Sequence, residues 1–317
     1  MSNKTISKII DETSKAVTGK NEIIKKILAV ILAGGHILLE DIPGVGKTTL
    51  ALALTKSLGL NFGRVQFTPD IIPSDITGFT VYDRESSSFR YVPGAVMCNM
   101  FLGDEINRTS SKTQSALLEV MQEGKVTVDG ISHEVPKPFT VIATQNPVGT
   151  AGTQILPEAQ LDRFMMKLSV GYPSFDEQVK ILADREKNDP LNSISSVIDA
   201  DELNEMIAAV KSVYTDEKIY MYITSLAEAT RASDCIRLGV SPRGALALAS
   251  AARSWAYMEG RDFVIPEDID TLFTDVCAHR IILEPKGKLS GKSAEIILDD
   301  ILNNITAPKI KGSGNII

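Results

Sequence analysis

Apolar positions recur at helical spacing through the first part of the chain, then give way to short unbroken runs. Ile6, Ile9, Ile10 and Val17 mark one amphipathic stretch between Thr5 and Val17, and Ile23, Ile24, Ile27, Leu28, Ile31 and Leu32 mark a second between Asn21 and Ala33. Each predicts a helix that turns one apolar stripe to a core. The run from His36 to Glu40 then leads through a Gly-rich turn into a helical stretch from Lys47 to Leu58, giving strand, loop, helix. Arg64–Phe67, Asn99–Glu105, Phe139–Gln145 and Arg163–Val170 read as four further strands. Apolar strands alternating with helical segments predict an α/β fold whose parallel, five-stranded sheet is covered on both faces.

Two β-ribbons interrupt this plan. One spans Phe79–Val92 around a Ser-rich tip; the other spans Lys125–Val135, where Asp129-Gly130 is a hairpin signal because a type I′ turn needs positive φ twice. From Ser174 to Arg280 the pattern is helical, with a polar join at 187–196 and no good strand, so a domain boundary is expected near Gly171–Pro173. The division is residues 1–172, an α/β domain, and 173–317, an all-α domain with a C-terminal tail. The tail adds a short amphipathic helix around 296–305 and frays from 309 onward.

Composition narrows the class. A formal charge of −7 disfavours a surface built wholly to match nucleic acid. Cys98, Cys235 and Cys277 are far apart, which suits buried thiols in a reducing cytosol rather than a disulfide framework or a thiolate zinc site. The N-terminus has no continuous apolar core of a signal peptide, and no stretch reaches the ~20 apolar residues of a membrane span, so the expectation is a cytoplasmic protein without membrane insertion. His36, His133 and His279 lack partners at metal-ligand spacing. Met97, Met100, Met165, Met166 and Trp255 read as core.

The chemistry sits at strand ends. Pro43, Gly44, Val45, Gly46, Lys47, Thr48 and Thr49 join the first strand to its helix. Gly44 and Gly46 let backbone N–H groups turn toward phosphates, the helix presents its positive N-terminus, Lys47 adds a point charge, and Thr48 supplies a hydroxyl ligand for Mg²⁺. The strict phosphate-loop spacing wants glycine where Asp41 stands, so a stray G-x-G-K-T remains open from this motif alone. The strand ending in Asp104-Glu105 removes most of that ambiguity: at the C-terminal edge of a parallel sheet Asp104 holds Mg²⁺ and Glu105 accepts the proton of the attacking water. The strand lying between in sequence places the acidic strand inside the sheet. Asn146, ending the next strand, is placed to bond the attacking water and the γ-phosphate, although Asn before Pro is also a turn starter.

Together, the segments 36–48, 66–78, 102–130, 143–147, 156–164 and 241–248 resemble the MoxR branch of the AAA+ ATPases, over about Thr18 to Glu284. An acidic residue at Asp41 fits that branch. The resemblance implies an AAA+ core with a helical lid, a helix-2 insert at about 78–93 and a hairpin before sensor 1 at about 125–135. It implies that Arg163 is an arginine finger for a neighbouring subunit, that Arg243 is sensor 2, and that Gly19, in Thr18-Gly19-Lys20, lies near the adenine. On the residues alone, Arg163 is equally read as a local ion pair, Arg243 as a helix-surface residue, and Arg108 as near the acidic pair with a part at an interface. Further implied are ATP and Mg²⁺ as cofactors, a homo-oligomeric ring, commonly a hexamer, protein clients, and a partner carrying a von Willebrand factor A domain. A metal-chelatase motor, a nucleic-acid motor and a sensor that binds ATP without turnover are the alternatives. The hairpin tip carries no Lys/Arg cluster for the second, and the intact Glu105 argues against the last.

Overall fold

The computed structural model describes residues 2–146, 156–187, 189–286 and 291–309. Helices α1 (Ser2–Ser14) and α2 (Asn21–Leu32) lead into β1 (Ile37–Glu40) and α3 (Lys47–Ser57). Then come β2 (Phe62–Gln66), the single turn α4 (Pro73–Thr77), and a ribbon of β3 (Gly78–Asp83) with β4 (Ser88–Pro93). Next are β5 (Met100–Asp104), α5 (Ser111–Glu123) and a second ribbon, β6 (Lys125–Val128) with β7 (Ile131–Glu134). β8 (Thr140–Gln145), α6 (Glu158–Leu161) and β9 (Met166–Leu168) complete the sheet. The helical region holds α7 (Phe175–Lys187), α8 (Ala200–Lys211), α9 (Glu217–Ala232), α10 (Pro242–Met258), α11 (Pro266–Cys277) and α12 (Ala294–Asn304).

The sheet has the order β2-β5-β8-β1-β9, and every pairing is parallel. Period-2 geometry divides each strand between two cores. Ile37 and Leu39, Met100 and Leu102, and Ile142 face one side with α1, α2 and α3; Leu38, Phe101, Val141 and Ala143 face the other with α5. Every residue of β5 and β8 is buried, as expected of strands covered on both faces. The edge strand β2 is only half-buried. The first core runs on without a break through α8, α9, α10 and α11, so apolar packing crosses the expected boundary near Gly171. Lys25 of α2 lies 4.4 Å from the Trp255 ring centroid in α10, and Lys26 pairs with Asp275 of α11 at 2.5 Å. The expected tail helix forms as α12, while 310–317 lie outside the described residues.

Where no strand was read, Ile236–Leu238 (β10) pairs antiparallel with Ile282–Leu283 (β11). Segments this short carry no periodicity of their own, and only tertiary packing pairs them. The hairpin signal behaves as expected: Asp129 (φ 50°) and Gly130 (φ 79°) both occupy the left-handed region. The two ribbons are joined to each other. Tyr91 of β4 stacks on His133 of β7 with centroids 3.8 Å apart and planes 10° apart, while its hydroxyl donates to the Thr77 carbonyl at 2.6 Å. Beyond that stack Tyr82 and Phe89 meet edge to face and stay exposed, as do Phe79 and Ile131. Among the described residues no helix is long and apolar enough to cross a membrane. Cys98 and Cys277 are buried, and burial pushes both thiols up to about 12.

His36 is structural. Its Nδ1 accepts from the Val141 N–H at 3.0 Å, which leaves Nε2 to donate to the Met121 carbonyl at 2.9 Å. A second proton has no acceptor, and burial lowers the pKa to about 4. The unfolded chain binds that proton near the usual 6.5. The neutral ring therefore contributes fully above about pH 6.5, and the contribution is lost as pH falls toward 4. Between pH 7 and 4.5 the urea-unfolding free energy of the wild type should fall by about 2 kcal/mol more than that of His36→Gln, which keeps a donor and an acceptor but does not titrate.

Candidate active site

At the C-terminal edge of the sheet, β1 runs into the loop before α3. Gly44 (φ 89°) and Gly46 (φ 93°) sit in the left-handed region, and Gly46 is the N-cap of α3 with no side chain capping it. The first N–H groups of α3 are therefore free for an anion. Lys47 is buried and folds back on its own loop, donating from Nζ to the carbonyls of Asp41 (2.8 Å) and Ile42 (3.3 Å). Burial lowers its pKa, opposed by the nearby charges of Asp41, Asp104 and Glu105. A group held this way gains by meeting phosphate oxygens. Thr48 is half-buried on the same first turn.

Asp41, where the strict pattern wants glycine, is buried, and its carboxylate faces away from the loop. It accepts from Ser169 Oγ (2.9 Å), the Gly171 N–H (3.2 Å) and the Val170 N–H, beyond the end of β9.

The acidic strand lies between β2 and β8, inside the sheet as expected, with β8 separating it from β1. Asp104 is buried at its end. Arg64 of β2 places Nε 2.8 Å and Nη2 2.7 Å from Asp104 Oδ2, while the Thr144 hydroxyl is 3.4 Å from Oδ1. Glu105 turns out of the strand at φ 56°, a conformation that a non-Gly residue holds only when its surroundings fix it. Those surroundings are explicit. Its N–H donates to Thr144 Oγ1 (2.9 Å), Arg108 Nη1 donates to Oε2 (2.7 Å) and Asn146 Nδ2 donates to Oε1 (3.0 Å). Burial pushes its pKa up, but the hydrogen bonds from Arg108, Asn146 and Gln66 outweigh this and hold it below the ordinary carboxylate value. Asn146 is thus brought to Glu105, and its own carbonyl accepts from Asn107 Nδ2 at 3.3 Å. Arg108, flagged only as near the acids, grips one of them.

A cavity of about 390 Å³ opens beside the loop. It is lined by Val17, Thr18 and Lys20 before α2, by Pro43 to Gly46 and Thr49, and by Tyr172, Pro173, Ile181 and Leu182 across from them. Gly19 (φ 77°) lies between two lining residues, and a side chain there would run into Glu177 of α7.

Arg163 and Arg243 are not in this cavity. Both line a second one of about 300 Å³, with Gly34, Gly35 and His36 at the N-terminal end of β1. Asp162, which precedes Arg163 and is the partner in the local ion-pair reading, pairs instead with Arg280, a residue not singled out in the sequence. Arg280 is buried, pairs with Asp162 through Nε at 2.8 Å, and donates to the Phe164 (2.7 Å) and Met165 (3.1 Å) carbonyls. Ser241 Oγ lies 3.2 Å from Asp162 Oδ2 and caps α10 through the Gly244 N–H at 3.1 Å, which fixes the helix start that carries Arg243. Nothing in the local spacing marked Arg280, whose partner Asp162 is 118 positions away.

A glycine loop opening a helix, an acidic strand end, an asparagine on the neighbouring strand and a helical region behind them define a P-loop ATPase of the AAA+ class. Comparison with known proteins agrees. Residues 36–166 match the model of the ATPase family associated with various cellular activities (AAA), and 228–301 match the AAA lid domain. The chain is 46% identical to the uncharacterized protein YeaC of Bacillus subtilis (strain 168), over 96% of this chain and 95% of that protein. It is 37% identical to Chaperone MoxR1 of Mycobacterium tuberculosis, over 96% of this chain and 83% of that protein. A crystal structure of a candidate ATPase from Cytophaga hutchinsonii superposes with a TM-score of 0.90 at 36% identity, covering 97% of this chain and 96% of that one. The chain belongs to the MoxR family of AAA+ ATPases, and it is an ATP-hydrolysing enzyme.

If the phosphates lie on this loop, replacing Lys47 with Ala removes a charge-assisted contact, and ATP affinity in a titration with labelled nucleotide should fall by about 10- to 100-fold. Unchanged affinity would place the nucleotide elsewhere.

Proposed function

We propose that this ATPase is a chaperone-like remodeller of protein complexes, working as a ring in which each hydrolytic site is completed by the next subunit. Within one subunit, the loop amides and Lys47 bind the phosphates and Glu105 takes the proton of the attacking water. Asn146 holds that water against the γ-phosphate. Thr48 and Asp104 are the residues that would hold Mg²⁺, and the chemistry present fits it: an oxygen donor beside the loop and a buried carboxylate at the strand end. That ion supplies charge neutralisation on the phosphate oxygens. Arg108 and Asn146 occupy one acceptor site on each Glu105 oxygen and orient the carboxylate, which keeps its remaining lone pairs for the attacking water.

One observation carries the ring: Arg163 and Arg243 share a cavity at the N-terminal end of β1, and the phosphate loop lies at its C-terminal end. At roughly 3.3 Å per residue, β1 alone separates the two ends by about 10 Å or more. A chain cannot bring these arginines to its own γ-phosphate without dismantling the sheet; a neighbour docked on the loop side can. The exposed Phe79, Tyr82, Phe89 and Ile131 on the two ribbons favour a protein client over nucleic acid, because Asp83 and Glu85 offset Arg84 and Arg90 on the first ribbon and the second hairpin tip carries no Lys/Arg cluster. A hexamer and a partner with a von Willebrand factor A domain rest on the family resemblance, a cytoplasmic location rests on the scattered cysteines and the lack of a signal-peptide core, and the domain boundary belongs near Gly171, where φ is 66°.

Glu105→Gln should bind ATP and turn it over at least ~10²-fold more slowly, the scale of general-base loss. Wild-type turnover would assign the base elsewhere. Mixing inactive Arg163→Ala chains with inactive Lys47→Ala chains should recover turnover, because intact loops then meet intact arginines; a guanidinium at the transferring phosphoryl group is worth ~10³–10⁵ in rate. Mixtures that stay inactive, with specific activity flat across protein concentration, would overturn completion by a neighbour.

A further inference from the structure

The phosphate loop departs from the strict glycine pattern at Asp41, and that residue spends its side chain on another segment. Its carboxylate has three partners, Ser169 Oγ, the Val170 N–H and the Gly171 N–H, all just past the end of β9. The residues that follow, Tyr172 and Pro173, form the wall of the nucleotide cavity opposite Val17 and Thr18, and the same wall continues into α7 with Ile181 and Leu182. Lys20 fastens the same segment from the other side, donating to the Tyr172 carbonyl at 3.0 Å. Meanwhile the Asp41 backbone carbonyl accepts from Lys47, so this residue touches the phosphate-binding lysine through its main chain and the cavity wall through its side chain.

We infer that Asp41 is a positioning residue for the nucleotide: its carboxylate sets the distance between the phosphate loop and the wall that closes over the base. This rests on placing ATP in the 390 Å³ cavity with its phosphates on the Lys47 loop. A carboxylate suits the task because three donors converge on two acceptor oxygens. An asparagine in the same place must turn its amide N–H₂ toward the Val170 N–H or the Gly171 N–H, a donor facing a donor. Glycine removes the tether and leaves the carbonyl that meets Lys47 untouched. It also gives the loop the strict glycine spacing, so a loop that needed nothing else from this position would bind phosphates at least as well.

The test compares a ligand that has a base with one that has none, in full-length wild type, Asp41→Gly and Asp41→Asn. Turnover gives the KM for ATP, and inhibition of that turnover gives the constant for inorganic tripolyphosphate. Both substitutions should raise the KM for ATP by about tenfold or more, the scale of losing hydrogen bonds to a charged group, and leave the tripolyphosphate constant unchanged. If both constants weaken together, Asp41 serves the loop and the inference fails. If neither moves, the carboxylate merely caps the strand end and the inference fails as well. Lys47→Ala, assayed by calorimetric binding of both ligands, separates this from the underlying reading. It should weaken tripolyphosphate, and if it does not, the phosphates are not on this loop and both readings fall together. Should Asp41→Gly not fold, Asp41→Asn carries the same comparison.

Discussion

Parallel strands all point the same way, and the site follows from that constraint. In this sheet the C-terminal ends of β1, β5 and β8 meet along one edge, so the phosphate loop, the two acids and Asn146 converge although long stretches of chain separate them. Each strand end also leaves backbone groups that the ladder no longer satisfies, and polar side chains gather there to meet them. Glu105 and Asp41 both take part in this, through the Thr144 hydroxyl on the first and the amides past β9 on the second.

The charged groups on this edge hold one another in place. Lys47 rests on carbonyls, Arg64 on Asp104, and Arg108 with Asn146 on Glu105. Buried charge is tolerated only when paired or hydrogen-bonded, so Asp104 and Glu105 each hold an arginine from outside the phosphate loop, while Asp41 is met by a hydroxyl and two amides. The opposite edge of the sheet is built on the same logic, with Arg280 buried against Asp162 in the wall of the cavity that Arg163 and Arg243 also line.

What was legible in the sequence was whatever backbone conformation or strand direction dictates locally. Gly44 and Gly46 are where positive φ is required, Asp129-Gly130 makes the turn its dihedrals demand, and the apolar runs set the strands to within three residues. What escaped notice depends on contacts between distant residues. Arg64 and Asp104 are 40 positions apart, Arg280 and Asp162 118, and Asp41 and Val170 129. None of these pairs has a spacing signature, since chain folding alone makes them neighbours. β10 and β11 were missed for the same reason: at three and two residues they are strands only because packing lays them together. Asp41 is instructive, because its departure from the loop pattern was visible while its partners were not.

The stack of Tyr91 on His133 has a consequence for engineering. The two ribbons leave the chain at different points, yet one flat aromatic contact makes them a single projecting unit. Transplanting the first ribbon between relatives, to exchange whatever its exposed Tyr82 and Phe89 recognise, would strand Tyr91 over a foreign hairpin. A working chimera therefore has to carry Gly78–Pro93 and Lys125–Glu134 together, as one cassette cut from two places in the gene.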